Sequence, residues 1–262
     1  LRHRFQTNLL LYDSPWGDVL LGTGERQLGS SLDYPNLYRR TADLSGEAYN
    51  REWLRKKAQA KRDGFDIGVI AVINPGTLGV GAERFYRYYR DEARVDRLQI
   101  NLPFPGRPGD PSHLDLDRLA EFLCGLYETW LAAGRDIELS PFQGIEDRLL
   151  GRGGTVPCVW SGDCADCMVA IGPDGEVALC DCWVSPFPAH HFGDIGRMSV
   201  GGFMASEGRR RFRERPFHLL RSSRCGECGF WGLCHGGCPL RAQAFSGSFL
   251  DPDHYCSAYF RL

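Results

Sequence analysis

The stretch RCGECGFWGLCHGGCPLRA, residues 224–242, decides the fold of the second half of this 262-residue chain. Four cysteines lie within fourteen positions, at the spacing Cys-x2-Cys-x5-Cys-x3-Cys: Cys225, Cys228, Cys234 and Cys238. Thiolates at such spacings bind zinc or iron–sulfur clusters, and cysteine pairs also form disulfides. On its own, this stretch leaves all three kinds of site open.

Cysteine is distributed unevenly along the chain. There are eleven cysteines, an odd number, and only Cys124 precedes position 158. A disulfide-stapled secreted domain is usually short and rich in cysteine throughout, so the clustering favours metal sites in a reducing, cytoplasmic compartment. Cys124 falls within an amphipathic helical pattern, and we expect it to be a buried structural thiol.

The overall composition is that of an ordinary globular protein. Hydrophobic residues make up 43% of the chain, charged residues 24%, and the formal net charge is −2. A net charge this small gives no argument for nucleic-acid binding. No apolar run approaches the roughly 18 residues that a membrane helix needs. We therefore expect neither nucleic acid nor a membrane as a partner.

The first half of the chain alternates between strand and helix patterns. Ser45 is a predicted N-cap and Gly64 a predicted C-terminal glycine of one helix. The near-continuous apolar run at 66–76 is typical of a strand buried on both faces. Alternation of strands and helices indicates parallel βαβ units and the α/β class. Strands are predicted within 4–12, 27–35, 66–76 and 96–106, and helices within 45–64, 81–95 and 113–134.

The second half differs in amino-acid composition and contains more Gly, Cys, Pro and Trp. Residues 168–180 predict a β-hairpin around a Pro-Asp-Gly turn. The basic stretch at 205–223 predicts a helix with a solvated face that ends at Pro216. Pro239 predicts a helix that starts directly after Cys238. His190 and His191 are candidate ligands or acid–base groups, but we expect them to lie in a polar loop.

The number of thiols exceeds what one site can use. Zinc and [4Fe–4S] sites take four protein ligands, whereas the chain offers two groups of five thiols. We therefore expect two four-cysteine sites with two thiols left over, and zinc stays open for either site. The groups are Cys158, Cys164, Cys167, Cys180 and Cys182 upstream, and Cys225, Cys228, Cys234, Cys238 and Cys256 downstream.

The complete pattern resembles the SPASM domain, the C-terminal extension of a class of radical S-adenosylmethionine (SAM) enzymes. It reads Cys158-x5-Cys164-x10-Gly175-x4-Cys180, then the four cysteines of residues 225–238, then Cys256. The resemblance covers about residues 155–260 and implies two auxiliary [4Fe–4S] clusters. It implies that the first is held by Cys158, Cys164, Cys180 and Cys238, and the second by Cys225, Cys228, Cys234 and Cys256. Cys167 and Cys182 lie outside the pattern and remain alternatives to Cys158 or Cys164.

In the light of this resemblance, the first half is similar to the later part of a radical SAM partial (β/α) barrel. The resemblance implies a partial barrel at residues 1–150 and a small cysteine-rich α+β SPASM domain with a β-hairpin at 151–262. QTN (6–8) matches the family's Gln-Thr-Asn-Gly, with Leu9 replacing the glycine. SSLDYP (30–35) resembles Ser-Leu-Asp-Gly-Pro, with Tyr34 replacing the glycine. The implied SAM contacts are Thr7, Asn8, Ser31 and Arg40, with Arg39 as the alternative arginine.

Two family segments do not occur in this sequence. No three of the eleven cysteines fit the Cys-x3-Cys-x2-Cys loop that binds the SAM-cleaving cluster, and Gly-Gly-Glu-Pro is also missing. The chain begins at Leu1, so we expect about 90 further residues upstream, judged from typical βα unit lengths. That segment would supply a third [4Fe–4S] cluster, and without it we do not expect the chain to cleave SAM.

The resemblance implies an oxidoreductase that abstracts hydrogen from a peptide or protein side chain. The auxiliary clusters would accept the substrate's electron, with an electron donor such as a flavodoxin or ferredoxin. Asp181 is the expected general base, although it also suits a local capping role. Sulfatase maturation (formylglycine formation) and peptide natural-product maturation are both expected options. The competing hypothesis is a non-catalytic zinc or iron–sulfur module for structure or peptide recognition. His235 either bonds a cluster sulfur or is exposed.

Overall fold

A computed structural model describes residues 3–104, 113–153 and 156–262. These residues form two compact units. The first unit contains the described residues 3–103, 113–146 and 261–262, and the second contains 104, 147–153 and 156–260. The sequence-based prediction for 96–106 falls partly outside the described residues.

The first unit is built on a five-stranded parallel sheet whose strand order follows the chain. Leu28 pairs with Phe5 on one side and with Ile67 on the other, so consecutive strands are neighbours. This sequential parallel order confirms the predicted α/β class. The strands are β1 (Phe5–Gln6), β2 (Gln27–Ser31), β3 (Asp66–Val72), β4 (Arg97–Asn101) and β5 (Glu138–Ser140).

The helices of the first part of the chain include three that the sequence patterns missed. They are α1 (Ser14–Thr23), α2 (Gly46–Arg62), α3 (Pro75–Val80), α4 (Ala82–Arg87), α5 (Leu116–Ala132) and α6 (Phe142–Leu149), with a π-helical turn at Tyr88–Glu92. The helices α1, α3 and α6 were not predicted. The N-terminus of α3 is held by a capping box, in which Asn74 and Thr77 each bond the other's backbone N–H. Asn74 and Pro75 were instead assigned to the end of the preceding strand.

The predicted ends of α2 are confirmed. Ser45 is the N-cap residue in an extended conformation, although its side chain makes no capping hydrogen bond. Gly64 has φ of +92°, which is the left-handed conformation expected of a glycine that ends a helix.

The prediction that β3 is buried on both faces was wrong. Its second face, which carries Ile70, is only partly buried. The neighbours of Ile70 on that face are Ser31 of β2 and Gln99 of β4, and Asn101 pairs with the next residue of the same face, Val72. Polar side chains thus line one face of the sheet beside the apolar β3. The fully buried residues of β3 are Ile67, Val69 and Ala71.

The chain that follows β2 is fixed by buried hydrogen bonds. The indole Nε1–H of Trp53, on α2, donates to Ser30 Oγ at 2.8 Å. The hydroxyl of Tyr89 donates to the carbonyl of Leu32 at 2.6 Å. Each bond satisfies a polar atom taken out of water, so it constrains the path of the chain around Ser31.

The second unit contains the predicted hairpin and a third short strand. The hairpin pairs β6 (Ala170–Ile171) with β7 (Glu176–Ala178), and β8 (Gly193–Asp194) pairs antiparallel to β7. The predicted helix after Cys238 is α13, and it ends at Gly247. The helices are α7 (Cys158–Ser161), α8 (Cys164–Cys167), α9 (Asp181–Val184), α10 (Val200–Met204), α11 (Glu207–Ser222), α12 (Trp231–Cys234), α13 (Pro239–Ser246) and α14 (Cys256–Tyr259), with 3₁₀ turns at Pro188–His190 and Arg224–Glu227.

Helix α11 differs from its prediction in two respects. It continues through Pro216 and ends at Ser222. Phe212 and Leu219 are buried on either side of Pro216, and this packing outweighs the local penalty of a proline in a helix. The predicted solvated face is confirmed by the exposed Arg210, Arg213 and Arg221, but two arginines of the same stretch, Arg209 and Arg215, lie buried on the opposite face.

Two further sequence-based expectations need correction. Cys124 is only half-buried, and its Sγ lies 3.5 Å from the carbonyl oxygen of Arg261. His190 and His191 do not form a polar loop. The ring of His190 packs against that of Trp183 at 5.2 Å, and Nε2 of His191 lies 2.8 Å from the carbonyl oxygen of Val184. No helix within the described ranges is long and apolar enough to cross a membrane.

The hydrogen bond from Trp53 to Ser30 generates a stability prediction. Trp53→Phe leaves the buried Ser30 hydroxyl without its donor and opens a small cavity. We expect the free energy of unfolding to fall by about 1–3 kcal/mol, as measured by urea titration with circular dichroism. The matched control is Trp16→Phe at an exposed position, where we expect a change within about 0.5 kcal/mol. Equal effects of the two substitutions would contradict the anchoring role of Trp53.

Candidate metal centres

A first group of thiols lies around one hydrophobic cluster of the second unit. Four half-buried cysteines pack against that cluster: Cys164, Cys180, Cys182 and Cys238. Its core includes Val177, Trp183 and Phe249. The hairpin delivers Cys180 to this place, because β7 ends two residues before it. Three of the four thiols predicted for the first site are therefore neighbours here, and Cys182 joins them.

Cys158 also belongs to the first group. As a residue it is exposed, yet burial of its sulfur raises the pKa of the thiol, and the nearby groups of Cys182 and Asp181 raise it further. Burial raises the pKa of Cys164 to about 12, with further contributions from Cys238 and Cys158. Electrostatic interaction between thiols requires proximity, so we place Cys158 with the others.

A second group contains the remaining downstream thiols. Burial raises the pKa of Cys234, and the thiols of Cys256, Cys225 and Cys228 raise it further. Cys225 lies within the 3₁₀ turn at Arg224–Glu227 and Cys228 directly follows it, and the N–H of Cys225 donates to Ser223 Oγ at 3.2 Å. The four thiols predicted for the second site therefore lie near one another.

The two groups meet on the chain between Cys234 and Cys238. Gly236 and Gly237 have φ of +82° and +69°, a left-handed conformation that favours glycine. A Cβ on Gly237 would lie 2.4 Å from Cβ of Asp253. Glycine is needed here for both backbone conformation and space, and the resulting tight turn separates Cys238 from the thiols that precede it.

Asp253 holds this turn from the other side. Its Oδ2 accepts hydrogen bonds from the backbone N–H of Cys238 at 2.8 Å and from the guanidinium of Arg241 at 2.5 Å. Its own N–H donates to the carbonyl of Gly236 at 2.9 Å, and its carbonyl accepts from the N–H of Cys256 at 3.0 Å. One buried residue thus contacts the backbone of a thiol residue in each group.

The protonation of these thiols suits metal binding rather than free nucleophiles. Burial raises the pKa of Cys238 to about 11 and that of Cys164 to about 12. Without a metal, they are neutral thiols at neutral pH. A metal or cluster supplies the positive charge that makes thiolates stable in such surroundings, and its binding releases protons.

The two surplus upstream cysteines lie in different surroundings. Cys167 is exposed, and its Sγ lies 3.3 Å from Oδ2 of Asp163, whose hydrogen bond raises the pKa of the thiol. Cys182 lies inside the first group. Its ligand atom, the sulfur of Cys180 and an oxygen of Asp181 all lie within 4.8 Å of one another. This geometry favours Cys182 over Cys167 as the alternative ligand.

Asp181 occupies a position that suits both of its predicted roles. It is exposed and is the first residue of α9, with Cys180 as the N-cap residue. A carboxylate in the first turn of a helix stabilises that helix. The same carboxylate lies beside the sulfurs of Cys180 and Cys182, where it can accept a proton from a bound molecule. His235 is half-buried, and its Nδ1 lies 3.1 Å from the carbonyl oxygen of Trp160, so its ring bonds the backbone.

The predicted SAM contacts lie at the carboxyl ends of neighbouring strands in the first unit. Thr7 and Asn8 follow β1, and Ser31 ends β2. The side-chain oxygens of Thr7 and Asn8 accept the N–H groups of Leu9 and Leu10 at 3.2 Å. Leu9 is fully buried at φ of +61°, so the backbone keeps the left-handed turn that a glycine would favour.

The two candidate arginines of the SAM site differ in their partners. Nε of Arg39 lies 2.7 Å from Oδ2 of the buried Asp33, whose Oδ1 accepts the N–H of Val72 at 2.9 Å. Arg40 is exposed, and within the described residues its side chain makes no ion pair. Arg40 therefore keeps a guanidinium available for a ligand carboxylate, whereas Arg39 is engaged in the structure.

Sequence reasoning missed three residues of the second unit that matter to the site. Asp253 and Arg241 form a buried ion pair, and Arg215 lies buried on α11. The signal for Arg241 was its place three residues after Cys238, on the first turn of a helix. Arg215 was hidden among six arginines at 209–221, and only the spacing of Phe212 and Leu219 marks its face of the helix as buried.

Part of the second unit matches a known protein family, and the chain as a whole is similar to a curated enzyme. The SPASM family, described as an iron-sulfur cluster-binding domain, matches residues 158–229. A curated relative is the cysteine-type anaerobic sulfatase-maturating enzyme of Clostridium perfringens (strain 13 / Type A). It is 25% identical over 265 residues, which cover 97% of this chain and 69% of the relative.

Two solved structures share the fold. Native anSMEcpe with bound AdoMet and the Cp18Cys peptide has a TM-score of 0.81 at 21% identity, covering 99% of this chain and 72% of that one. SuiB of Streptococcus suis bound to its precursor peptide SuiA has a TM-score of 0.52 at 14% identity, covering 98% of this chain and 59% of that one. At these identities the likeness concerns the fold, and it confirms the predicted class.

Helix α8 offers a matched pair of substitutions. Cys164→Ser removes a thiol of the first group, whereas Cys167→Ser removes an exposed thiol three residues later. After anaerobic reconstitution, we expect Cys164→Ser to lose up to half of the bound iron and Cys167→Ser to keep all of it, as measured by iron analysis per chain. Iron loss in Cys167→Ser, with retention in Cys164→Ser, would reverse the assignment.

Proposed function

We propose that the chain is a radical SAM enzyme with a SPASM domain and that it oxidises a side chain of a peptide or protein substrate. One observation carries the proposal most directly. Eight thiols lie in two neighbourhoods joined by the short segment from Cys234 to Cys238, an arrangement that suits two clusters rather than one structural metal.

The proposed cofactors are two auxiliary [4Fe–4S] clusters, together with SAM and a third [4Fe–4S] cluster. The donor sets fit the auxiliary clusters, because each group provides at least four sulfurs. Sulfurs of the first group pack against apolar side chains, and backbone N–H groups bond the sulfur of Cys238 in the first group and of Cys234 in the second. We propose the ligand sets Cys158, Cys164, Cys180 and Cys238, and Cys225, Cys228, Cys234 and Cys256. When bound, such clusters transfer single electrons. We propose that Thr7, Asn8, Ser31 and Arg40 contact SAM. These residues belong to the proposed partial radical SAM barrel at residues 1–150, and the proposed SPASM domain covers residues 151–262.

Asp181 is the proposed general base. A side chain that is oxidised at carbon also loses a proton, and a carboxylate at the edge of the first thiol group is positioned to accept it. The exposed position of Asp181 leaves its oxygens accessible to a substrate. The neighbouring Cys180 ties the backbone of Asp181 to the first group, so proton acceptance and electron acceptance would occur side by side.

The proposed substrate is a peptide segment presenting cysteine or serine. The curated relative is a cysteine-type anaerobic sulfatase-maturating enzyme, and two similar structures hold peptides. Formylglycine formation in a sulfatase is therefore the first candidate reaction, and maturation of a peptide natural product is the second. We also propose an electron donor such as a flavodoxin or ferredoxin, and a cytoplasmic location, which keeps the thiols reduced.

Anaerobic reconstitution tests the cofactor assignment. We expect about eight irons and eight sulfides per chain, with absorbance near 400 nm that bleaches on reduction. The control is the same protein reconstituted with zinc, which we expect to be displaced by iron and sulfide. Stoichiometric zinc that resists displacement, with no iron uptake, would support a non-catalytic metal-binding module and overturn the redox function.

Substitution of Asp181 tests the proposed base. The assay uses the protein in a form that includes the Cys-x3-Cys-x2-Cys segment, with peptides that carry cysteine or serine. We expect Asp181→Asn to lower product formation by about 10²–10⁴-fold while iron content stays unchanged. The control is Asp174→Asn, at an exposed position in the hairpin turn. Turnover of Asp181→Asn near that of the control would exclude the base role.

A further inference from the structure

Arg215 is a buried cation whose hydrogen bonds all go to the backbone. Its side chain lies on the inner face of α11, and the residue is 4% exposed. Its guanidinium donates to four carbonyl oxygens: Phe249 at 2.6 Å, Asp251 at 2.8 Å, Gly237 at 2.9 Å and Gly236 at 3.0 Å. Two of these carbonyls belong to the turn between Cys234 and Cys238, so Arg215 holds that turn directly.

The charge of Arg215 forms no direct ion pair in the described part of the chain, and the one carboxylate that interacts with it electrostatically, Asp253, is bonded to Arg241. No carboxylate there lies within 4.0 Å of its nitrogens. Burial lowers the pKa of Arg215, as expected of a cation taken out of water. Arginine stays protonated in proteins, so the charge remains. A buried and unpaired charge is costly, because carbonyl dipoles supply only part of the compensation.

Arg241 provides the contrast within the same unit. It is as deeply buried as Arg215, but its Nε and Nη2 both bond Oδ2 of Asp253, at 2.9 and 2.5 Å. That pair is neutral overall, and it accounts for the burial of both side chains. Arg215 lacks such a partner, which indicates that another anionic group balances it.

The groups around Arg215 identify the source of that negative charge. Its guanidinium interacts electrostatically with the thiol of Cys238, with the carboxylate of Asp253, which is itself bonded to Arg241, and more weakly with two further thiols. These are Cys164, which belongs to the first group with Cys238, and Cys225, which belongs to the second. Four thiolates around a [4Fe–4S] core make an anionic site, and each added electron makes it more negative. Arg215 is therefore placed beside both proposed clusters.

We propose that Arg215 is a positioning residue shared by the two auxiliary clusters, supplying the buried positive charge that both require and holding the turn that joins them. This inference rests on the proposed function. Because the positive charge stabilises the more negative, reduced form of each cluster, Arg215 raises both reduction potentials. The reduction potentials of both clusters, the one that accepts the substrate's electron and the one that passes it on, would then depend on this single residue.

The test compares three variants of the reconstituted chain by iron analysis and by redox titration followed by electron paramagnetic resonance. Arg215→Met removes the charge, Arg215→Lys keeps it, and Arg210→Met removes an exposed arginine of the same helix. We expect Arg215→Met to reduce the stability of the reduced form of both clusters at least tenfold. That change corresponds to about 59 mV lower potential for a one-electron couple. Arg215→Lys should restore most of the loss, and Arg210→Met should match the unmodified chain.

The possible results distinguish failure of the Arg215 role from failure of the proposed function. Unchanged potentials in Arg215→Met, or a shift confined to one cluster, overturn the shared role while the proposed function stands. Failure of the unmodified chain to assemble clusters overturns the proposed function itself. If Arg215→Met does not assemble clusters, Arg215→Lys decides the question. If Arg215→Lys assembles two clusters with potentials near those of the unmodified chain, the result supports the role of the positive charge. If Arg215→Lys also fails to assemble clusters, the charge role is overturned and Arg215 has a purely structural role.

Discussion

The hydrogen bonds of Asp253 are the constraint on which the arrangement of the second unit depends. One carboxylate oxygen accepts both the N–H of Cys238 and the guanidinium of Arg241, while the backbone of Asp253 bonds Gly236 and Cys256. The turn at Gly236 therefore lies against a buried ion pair. Because that pair is inaccessible to water, loss of the Asp253 carboxylate would leave Arg241 as an unpaired buried charge and release the backbone N–H of Cys238.

Electrostatics explains why the surrounding residues are so unusual for a protein interior. Thiols whose pKa is raised by burial stay protonated at neutral pH. A buried arginine that forms no ion pair with a carboxylate is also unfavourable. Each arrangement is costly alone, but thiolate-bound anionic clusters beside Arg215 would compensate both. The apolar cluster around Trp183 excludes water and strengthens these interactions. The second unit is thus organised around charge that the protein side chains alone do not balance.

Much of this organisation was predictable from sequence, and the exceptions have physical causes. Parallel βαβ order, the hairpin and the helix after Cys238 follow from periodicity and turn chemistry, which are local. The helical course through Pro216 and the burial of Arg215 were not predictable, because packing of Phe212 and Leu219 overrides local propensity. Cysteine counting predicted two sites and the resemblance to the SPASM domain predicted their members, whereas the placement of Cys182 beside Cys180 required the fold. The contacts of Asp253 join positions too distant in sequence for a pattern to reveal.

The proposed ligand sets cross on the chain, with Cys238 separated from its three neighbours in the 225–238 stretch. Iron analysis and Mössbauer spectra of Cys238→Ser, Cys256→Ser and the double variant test this crossing. We expect each single variant to lose or degrade a different cluster while retaining about four intact irons, and the double variant to affect both clusters. Identical spectra for the two single variants, with no further loss in the double variant, would place both cysteines on one cluster and rule out the crossing.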